Sequence, residues 1–513
     1  MLTHRMLHRL APALFTSSRG LPLDIPGPPP GRFLSTGGAL LPWAEDSLGH
    51  ASKLFREYGR VVALVQGGGT RHIAQSEDCP GTVLCYGADL NQIITSAHEV
   101  YSKSYLSGAL HPGQDPSPRK RPLLSFGAGL FSVNGDEHKR HRRLLGPVFS
   151  RRRLAQYAEQ MVEVIKSEIA GWAPGQERDT SRDMRLLTAH VVTRTLFGKD
   201  AQLSVDGASR ALKETLDLMG KPLTRLLTFD LPGLPYRRYL DAATDLERHV
   251  QTLLAAKKQS GVESDDMLSA LLHARDEESG TRLTDDEILG HVSVFFAAGH
   301  ETTAHGLGWT LLLLACFPQV AHKVQEELER VLGSGEPSFE RLDELVYLGW
   351  VVKESLRLFT PAPWNGRVLT EQVTLDGYTI PAGSEILFSL YETHRTDPIF
   401  QRPYAFEPER WEHIHPSPYQ YTPFSAGPRT CIGAMFAQME MKIALALILQ
   451  RFRMELVSKS VNRFAEMVLS PKQALLMRVQ PTDGNFAASA RKFSGNVHDM
   501  VNFPQQLRTR EVS

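Results

Sequence analysis

A glycine-rich loop that ends in a single cysteine constrains the fold of this chain more than any other segment. A helix with apolar residues at helical spacing is predicted directly after the loop, over residues 434–450. A thiol at a helix N-terminus experiences the positive end of the helix dipole, which favours the thiolate. Glycines let a flat ligand approach the backbone closely, and an arginine offers a cation to ligand carboxylates. The fixed positions of the loop are Phe424, Gly427, Arg429, Cys431 and Gly433. This spacing is too specific for a cysteine that serves only as a small buried side chain.

A long apolar helix carries an unusual polar run in its middle. Thr284 followed by Glu287 is a capping-box pattern that predicts the start of this helix, and Pro318 predicts its end. The central run is Ala298-Gly299-His300-Glu301-Thr302-Thr303. Glycine inside a helix costs about 1 kcal/mol relative to alanine, and a threonine hydroxyl can bond the carbonyl four residues back. The run therefore indicates either a polar notch beside a cavity or a packing glycine on a threonine-rich helix face.

Two further segments supply charged residues of opposite sign. Glu354 and Arg357 are spaced i,i+3, so they share one face of a predicted helix. Arg410 lies in the proline-containing stretch 406–411 and offers a second guanidinium for the same carboxylate. Each of these features by itself is typical of a structural ion pair, and such pairs contribute little at a surface.

In their order along the chain and in their separations, the four segments resemble the cytochrome P450 family of haem-thiolate monooxygenases. The resemblance covers roughly residues 26–479. It implies a mainly α fold with small β-sheets, arranged as a triangular helical prism that encloses haem. The implied organisation is a leader or flexible N-terminus over 1–23, a haem-thiolate catalytic domain over 24–480 and a polar C-terminal tail over 481–513.

The resemblance also implies roles for the catalytic and structural residues. Cys431 matches the axial thiolate ligand of the haem iron. Glu301 and Thr302 match the acid–alcohol pair that delivers protons during dioxygen activation. The buried charge triad of the family is matched by Glu354, Arg357 and Arg410.

Further positions match residues that hold the haem group itself. The resemblance assigns the pairing of the haem propionates to arginines, and His138 stands where the family usually has tryptophan. That substitution puts a single propionate contact in doubt. The matched cofactor-binding positions, besides Cys431, are Arg429, Arg142, His138, Arg367, Phe424, Gly433 and Ala298.

Composition excludes several other classes of protein. Lys plus Arg and Asp plus Glu both total 57, so the net charge is zero, which argues against a nucleic-acid binder held by bulk charge. The four cysteines form no Cys-x-x-Cys pair, which argues against a disulfide scaffold or a cysteine-based zinc site. No uninterrupted apolar stretch reaches the roughly 18 residues of a membrane span. A soluble, cytoplasmic monomer is therefore expected, while the Arg5- and Arg9-bearing N-terminus leaves a mitochondrial or peripheral membrane protein as the alternative.

The leading functional hypothesis is a monooxygenase that inserts one oxygen atom into an apolar substrate. The expected substrate is a lipid, terpenoid, steroid or xenobiotic, because the predicted cavity walls are mostly apolar. Those walls include Phe126, Leu130, Phe131, Phe295, Phe296, Ala298 and Trp364. Haem b is the implied cofactor, and NAD(P)H-derived electrons would come through a ferredoxin, a flavodoxin or a flavoprotein reductase. The basic residues between Lys139 and Arg153 are either a docking patch for that donor or a solvated helix face.

Two alternatives belong to other functional classes. One is a haem-thiolate enzyme that works without a partner, as a peroxide isomerase, dehydratase or peroxygenase. The other is a non-catalytic haem sensor or ligand carrier. The intact Glu301-Thr302 pair disfavours the first alternative, because rearranging a peroxide needs no such proton relay.

Overall fold

The computed structural model describes most of the chain from Leu23 onward. The described residues are 23–28, 42–43, 45–66, 79–103, 118–122, 129–198, isolated positions between 207 and 224, 229–260, 265–465, 468–486 and 491–507. The predicted leader over 1–23 therefore lies almost wholly outside the described residues. So does Phe126 among the predicted cavity residues.

Helices dominate the described part of the chain, as the sequence predicts. The first six are α1 (Ser47–Tyr58), α2 (Ala88–Ser96), α3 (Gly135–Leu145), α4 (Arg151–Ile169), α5 (Thr180–Phe197) and α6 (Pro235–Ser260). The next six are α7 (Met267–His273), α8 (Asp285–Cys316), α9 (Pro318–Val331), α10 (Val346–Leu358), α11 (Leu390–Thr396) and α12 (Ala434–Arg451).

The strands among the described residues are short and form four small sheets. They are β1 (Val61–Gln66), β2 (Gly81–Cys85), β3 (Tyr101–Ser102), β4 (Glu177–Asp179), β5 (Trp364–Leu369), β6 (Val373–Leu375), β7 (Tyr378–Ile380), β8 (Glu385–Ser389), β9 (Phe452–Leu456), β10 (Arg463–Ala465), β11 (Leu469–Pro471) and β12 (Leu476–Pro481). The largest sheet has the order β1-β2-β8-β5-β3, and β2 runs parallel to β8 with Thr82 opposite Glu385. Strands β6 and β7 form a hairpin, because Asp376 and Gly377 turn the chain at positive φ values of 53° and 84°.

The long helix α8 is the centre of the core. Its predicted capping box is present, since Glu287 N donates to Thr284 Oγ1 at 3.2 Å and Thr284 N donates to Glu287 Oε2 at 2.7 Å. The helix packs on α5 and α12 and ends at Cys316, two residues before Pro318. Most of its side chains are buried, so α8 supplies a large part of the core.

The segment that the sequence marks as a polar tail folds onto this core. Strand β12 runs across position 480, and the segment beyond it contributes Phe493, Val497, Met500 and Phe503 to the main hydrophobic cluster. The helix signal is missing there because the described backbone is irregular and includes 3-10 turns at Asn496–Asp499 and Gln505–Leu507. Few apolar residues are needed to anchor such a segment, which leaves its overall composition polar.

None of the described helices is by itself long and apolar enough to cross a membrane. Helices α8 and α9 reach the length and apolar composition of a membrane span only when they are taken together, and the chain bends by 109° between them.

Candidate active site

The carboxylate of Glu354 is completely buried and hydrogen-bonded on all sides. Arg357 donates to it from Nε and Nη2, at 3.0 and 2.8 Å. Arg410 Nε donates at 2.9 Å and Trp411 Nε1 at 3.1 Å. The Glu407 backbone N–H adds another donor at 3.2 Å. The structure thus brings together the three charged residues that the sequence groups, and it adds Trp411, which the sequence analysis missed.

A chain of hydrogen bonds connects this charged group to the cysteine loop. Arg357 Nη1 donates to the carbonyl of His394 at 3.1 Å. His394 Nε2 in turn accepts from Thr422 N at 2.9 Å, directly before the loop. Burial, aided by the charges of Arg357 and Arg395, lowers the pKa of His394 to about 3, so this imidazole is neutral and its Nε2 is free to accept. The buried ion pair therefore fixes the entry of the loop that carries Cys431.

Cys431 lies at the end of a loop that is closed by its own backbone. Its N–H donates to the carbonyl of Phe424 at 2.8 Å, and α12 begins three residues later. Gly427 has a φ of 69°, and a Cβ there would come within 2.6 Å of the Thr95 carbonyl oxygen, so this position requires glycine. Gly433 has no such conflict, because the nearest atoms to a Cβ there are at 3.9 and 4.0 Å, the second being Cys431 Sγ.

The thiol of Cys431 faces an open space within the protein. Its side chain is solvent-accessible, whereas Cys79, Cys85 and Cys316 are buried. The surrounding protein still desolvates the group, which raises its pKa, while the Gly433 N–H and the charges of Arg142 and Lys103 lower it. Cys431 is thus the one cysteine among the four that a ligand can reach.

Four cations gather near the cysteine without a carboxylate. Arg142 Nη1 donates to the Thr430 carbonyl at 2.8 Å, and Arg429 Nη2 donates to the Val133 carbonyl at 2.6 Å. Burial and mutual repulsion lower the pKa of Lys103 to about 7, of Arg367 to about 9 and of Arg429 to about 10. Among the described residues, no acid forms an ion pair with these four side chains. The cluster requires an external anion to balance its charge.

Two buried side chains of this cluster hold polar atoms that the described protein atoms leave unpaired. Arg367 is 1% exposed, and its Nε and Nη2 have no acceptor. His138 is 2% exposed with an unpaired Nδ1, and burial followed by the charges of Arg429 and Arg142 lowers its pKa to about 3. Buried donors are rarely left unpaired, so these atoms point to a missing acceptor.

Lys103 and Asn134 belong to this cluster, although the sequence analysis did not find them. Asn134 precedes α3, yet its side chain caps no helical N–H. Instead, its Oδ1 accepts from Lys103 N at 3.0 Å and from Arg429 Nη2 at 2.6 Å. An asparagine before a helix predicts an N-cap, and no local signal reveals that its amide joins two distant segments.

The polar run of α8 is more accessible than the rest of the helix core. Ala298, Glu301 and Thr302 are partly exposed in the middle of an otherwise buried helix. Thr302 Oγ1 donates to the Ala298 carbonyl at 2.7 Å, whereas Thr303 is 3% exposed and its hydroxyl is unpaired. Both interpretations of the sequence, a polar notch and a packing glycine, apply to this run. A Cβ on Gly299 would lie only 3.1 Å from Val192, so the glycine allows α8 to pack closely against α5.

Two histidines hold the carboxylate of Glu301. His300 Nε2 lies 3.2 Å from Glu301 Oε1, and His305 Nε2 lies 3.0 Å from Glu301 Oε2. Burial by itself would raise the pKa of Glu301, but these two hydrogen bonds lower it well below the usual range. Glu301 is therefore ionised and oriented next to Thr302.

The apolar residues predicted to line a cavity contact different parts of the protein. Trp364 lies 4.9 Å, centre to centre, from Trp43, and Phe131 carries the Lys103 ammonium over its ring at 5.0 Å. Phe296 packs against His300, while Phe295 packs against Phe149. Phe295 therefore belongs to the contact of α8 with the segment before α4.

The basic residues between Lys139 and Arg153 are largely neutralised within the protein. Lys139 pairs with Asp136, Arg140 with Glu287, Arg143 with Asp276 and Arg153 with Asp265. Arg151 lies over the ring of Phe339. Most of this cluster is thus a network of intramolecular ion pairs, whereas Arg142, Arg151 and Arg152 form no ion pair with a described residue.

The donor set fits haem. A flat dianionic ligand would supply the acceptors that Arg367 and His138 lack and the charge that Lys103, Arg142 and Arg429 require. The whole-chain comparison points the same way, since residues 28–478 match the cytochrome P450 family. The chain belongs to the cytochrome P450 family. As a P450 it is a haem protein and a monooxygenase.

Relatives of known name resemble this P450 over most of its length. It is 31% identical to cyclooctat-9-en-7-ol 5-monooxygenase of Streptomyces melanosporofaciens over 83% of this chain and 91% of the relative. It is also 31% identical to cytokinin hydroxylase of Arabidopsis thaliana, with 81% of each chain covered. The structure of cyanobacterial CYP120A1 with bound retinoic acid superposes with a TM-score of 0.74, at 21% identity, covering 90% of this chain and 100% of that one. This likeness confirms the mainly α P450 fold.

Removing one partner of the buried carboxylate should strongly destabilise this P450. We expect Glu354→Ala or Arg357→Ala to lower the free energy of unfolding by about 3–5 kcal/mol, because each leaves a buried charge unpaired. Lys323→Ala, which breaks the exposed pair with Glu409, should cost at most about 1 kcal/mol. Chemical denaturation of the three variants measures the difference, and equal losses would contradict the role of burial.

Proposed function

We propose that this P450 oxygenates an apolar, lipid-like molecule, such as a terpenoid, steroid, other lipid or xenobiotic. The observation that carries the proposal is the partly exposed face of α8 at Ala298 and Thr302, in the middle of a helix that is otherwise mostly apolar and buried. Leu130 and Phe296, which the sequence analysis predicts in the wall of the cavity, are both buried apolar side chains. A named relative acts on cyclooctat-9-en-7-ol, which belongs to the same broad chemical class.

Haem is proposed to lie between α8 and the loop before α12. Cys431 would be its axial ligand, and Gly433 would leave room for the flat ring beside the sulfur. Arg142, Arg367 and Arg429 would hold its propionates, with Lys103 and His138 as additional donors; this assignment is supported by their unbalanced charge and unpaired atoms. With a thiolate ligand, haem supplies the activation of dioxygen.

The proton relay is proposed to run through Glu301 and Thr302. Thr302 places a hydroxyl on the partly exposed face, and its bond to the Ala298 carbonyl fixes the rotamer. Glu301 holds a carboxylate one residue earlier, ionised and hydrogen-bonded to His300 and His305. A fixed hydroxyl beside an ionised acid is suited to passing protons inward from solvent.

Electrons are proposed to arrive from NAD(P)H through a separate ferredoxin, flavodoxin or flavoprotein reductase that docks beside Cys431. The start of α4 lies next to the start of α12, where Tyr157 and Phe436 are in ring contact at 6.0 Å. Met435 there is 59% exposed, and Arg152 is an exposed cation. An exposed apolar residue and a positive charge on two helices that pack together suit an acidic electron donor.

Product analysis tests the proposed substrate class directly. Purified haem-loaded protein, supplied with NADPH and a ferredoxin–reductase pair, should convert at least one compound from a panel of terpenoids, steroids and fatty acids to a product heavier by one oxygen atom. Turnover with a hydroperoxide alone, together with failure of the NADPH system, would instead support the partner-independent alternative.

Replacement of Cys431 should remove the thiolate ligand. We expect the reduced carbon monoxide complex of the parent protein to give the absorption band after which the family is named, and Cys431→Ala to lose it. Cys79→Ser, Cys85→Ala and Cys316→Ala serve as controls and should keep the band, since these thiols are buried away from the open space. A Cys431→Ala variant with an unchanged band would contradict the assignment.

The two adjacent threonines should differ in their effect on coupling. Thr302→Ala should retain haem and substrate binding yet divert most of the reducing equivalents to hydrogen peroxide, because the hydroxyl on the partly exposed face is lost. Thr303→Ala should remain close to the parent, since its side chain points about 100° further round the helix and is buried. The ratio of product formed to NADPH consumed measures the effect, and the opposite order would place the relay on Thr303.

Reversing the charge of Arg152 should weaken docking of an acidic donor. We expect Arg152→Glu to slow reduction by a ferredoxin about tenfold at low salt, with a smaller difference at high salt. Arg248→Glu, which changes an exposed arginine of α6, is the matched control and should reduce at the parent rate. Equal rates for both variants at low salt would exclude docking at the start of α4.

A further inference from the structure

A cluster of histidines and carboxylates lies where α3 meets the first turns of α8. Each helix contributes a glutamate followed four residues later by a histidine: Glu137 and His141 on α3, and Glu287 and His291 on α8. Residues at i and i+4 lie on the same helix face, so the two pairs can face one another. Ligand atoms of Glu137, His141 and Glu287 all lie within 4.8 Å of one another. His141 Nε2 is 3.0 Å from Glu287 Oε1.

His291 gives a second, independent indication of a ligand. This side chain is completely buried, and neither of its ring nitrogens has a hydrogen-bond partner among the described residues. The Nδ1 of His141 is likewise buried and unpaired. The two rings are edge to face with centres 4.8 Å apart.

Arg140 shows that this position attracts a cation. Its Nη2 contacts Glu287 Oε1 and lies 3.0 Å from His141 Nε2, so the guanidinium bridges the same two groups. The Arg140 side chain is 24% exposed and has a path to solvent. Glu287 is oriented independently of Arg140, because its other oxygen, Oε2, accepts from Thr284 N in the capping box. Displacement of the guanidinium would leave Oε1 ready to bind a metal ion.

We propose that Glu137, His141 and Glu287 form a binding site for a divalent transition metal of the zinc type, with the buried His291 as an outer-shell neighbour and Arg140 as the competing cation. One imidazole and two carboxylates are ligands that zinc accepts, and a water molecule would complete the tetrahedral geometry. The bound ion would join α3, which carries Arg142, to α8, which carries Thr302. Its function is structural, because it locks together two helices that border the haem site.

Zinc titration of the haem-loaded protein tests this site. Metal-stripped protein is titrated with zinc chloride against a chromophoric chelator, and its thermal unfolding midpoint is measured with and without zinc. We expect one equivalent of zinc to bind and to raise the midpoint. Glu137→Gln and His291→Phe should each weaken zinc binding at least about tenfold, since even loss of an outer-shell partner costs about 10–100-fold.

Two further variants distinguish the site from general surface binding. Asp136→Asn is the matched control, because Asp136 neighbours Glu137 and is fully exposed, and it should bind zinc like the parent. Arg140→Gln should bind zinc more tightly, because the competing cation is removed. Glu137→Gln changes an exposed side chain and leaves the core intact, so it decides the question even where His291→Phe does not fold. Parent-like zinc affinity in Glu137→Gln, or weaker binding in Arg140→Gln, would overturn the proposal.

Discussion

The buried carboxylate of Glu354 accepts hydrogen bonds from its own helix and from the segment 407–411, and the rest of the site depends on it. Burying a charge is expensive unless every lone pair is used, so these two segments hold one another in place. Arg357 extends the network to the carbonyls of His394, Pro403 and Ala405. Through His394 and Thr422, the position of the Cys431 loop is set by an interaction that does not itself touch the open space.

The cations around that space differ from Glu354, because they need a partner from outside the protein. Lys103, Arg367 and Arg429 repel one another, and their charge is not balanced by any acid that pairs with them in the described structure. Glu354 is satisfied by protein alone, whereas this cluster is satisfied only with a ligand. Haem is therefore part of the electrostatic balance of the folded protein, and binding of haem should stabilise the fold as well as supply its chemistry.

Local patterns in the sequence were sufficient for the main helices and for the triad. The capping box of Thr284 and Glu287 and the i,i+3 pair of Glu354 and Arg357 are encoded within one or two turns. Lys103 was missed because the amide of Asn134 links it to Arg429, which lies far along the chain. The internal ion pairs of the basic segment were not predicted for the same reason: partners such as Asp276 lie more than one hundred residues away. The buried C-terminal segment has no periodicity that sequence reasoning could detect.

The parallel pairing of β2 with β8 has a consequence for how the protein is made. Thr82 and Glu385, hydrogen-bonded across this pair, are 303 residues apart in the chain. At a synthesis rate of about 5–20 residues per second, β2 waits roughly 15–60 s on the ribosome for its neighbour. During that time the hairpin of β1 and β2, apolar at Val62, Val83 and Leu84, has an unpaired edge that other nascent chains can join. The yield of folded protein is then set by translation speed, temperature and chaperone occupancy over this interval, and only afterwards by the stability of the finished fold.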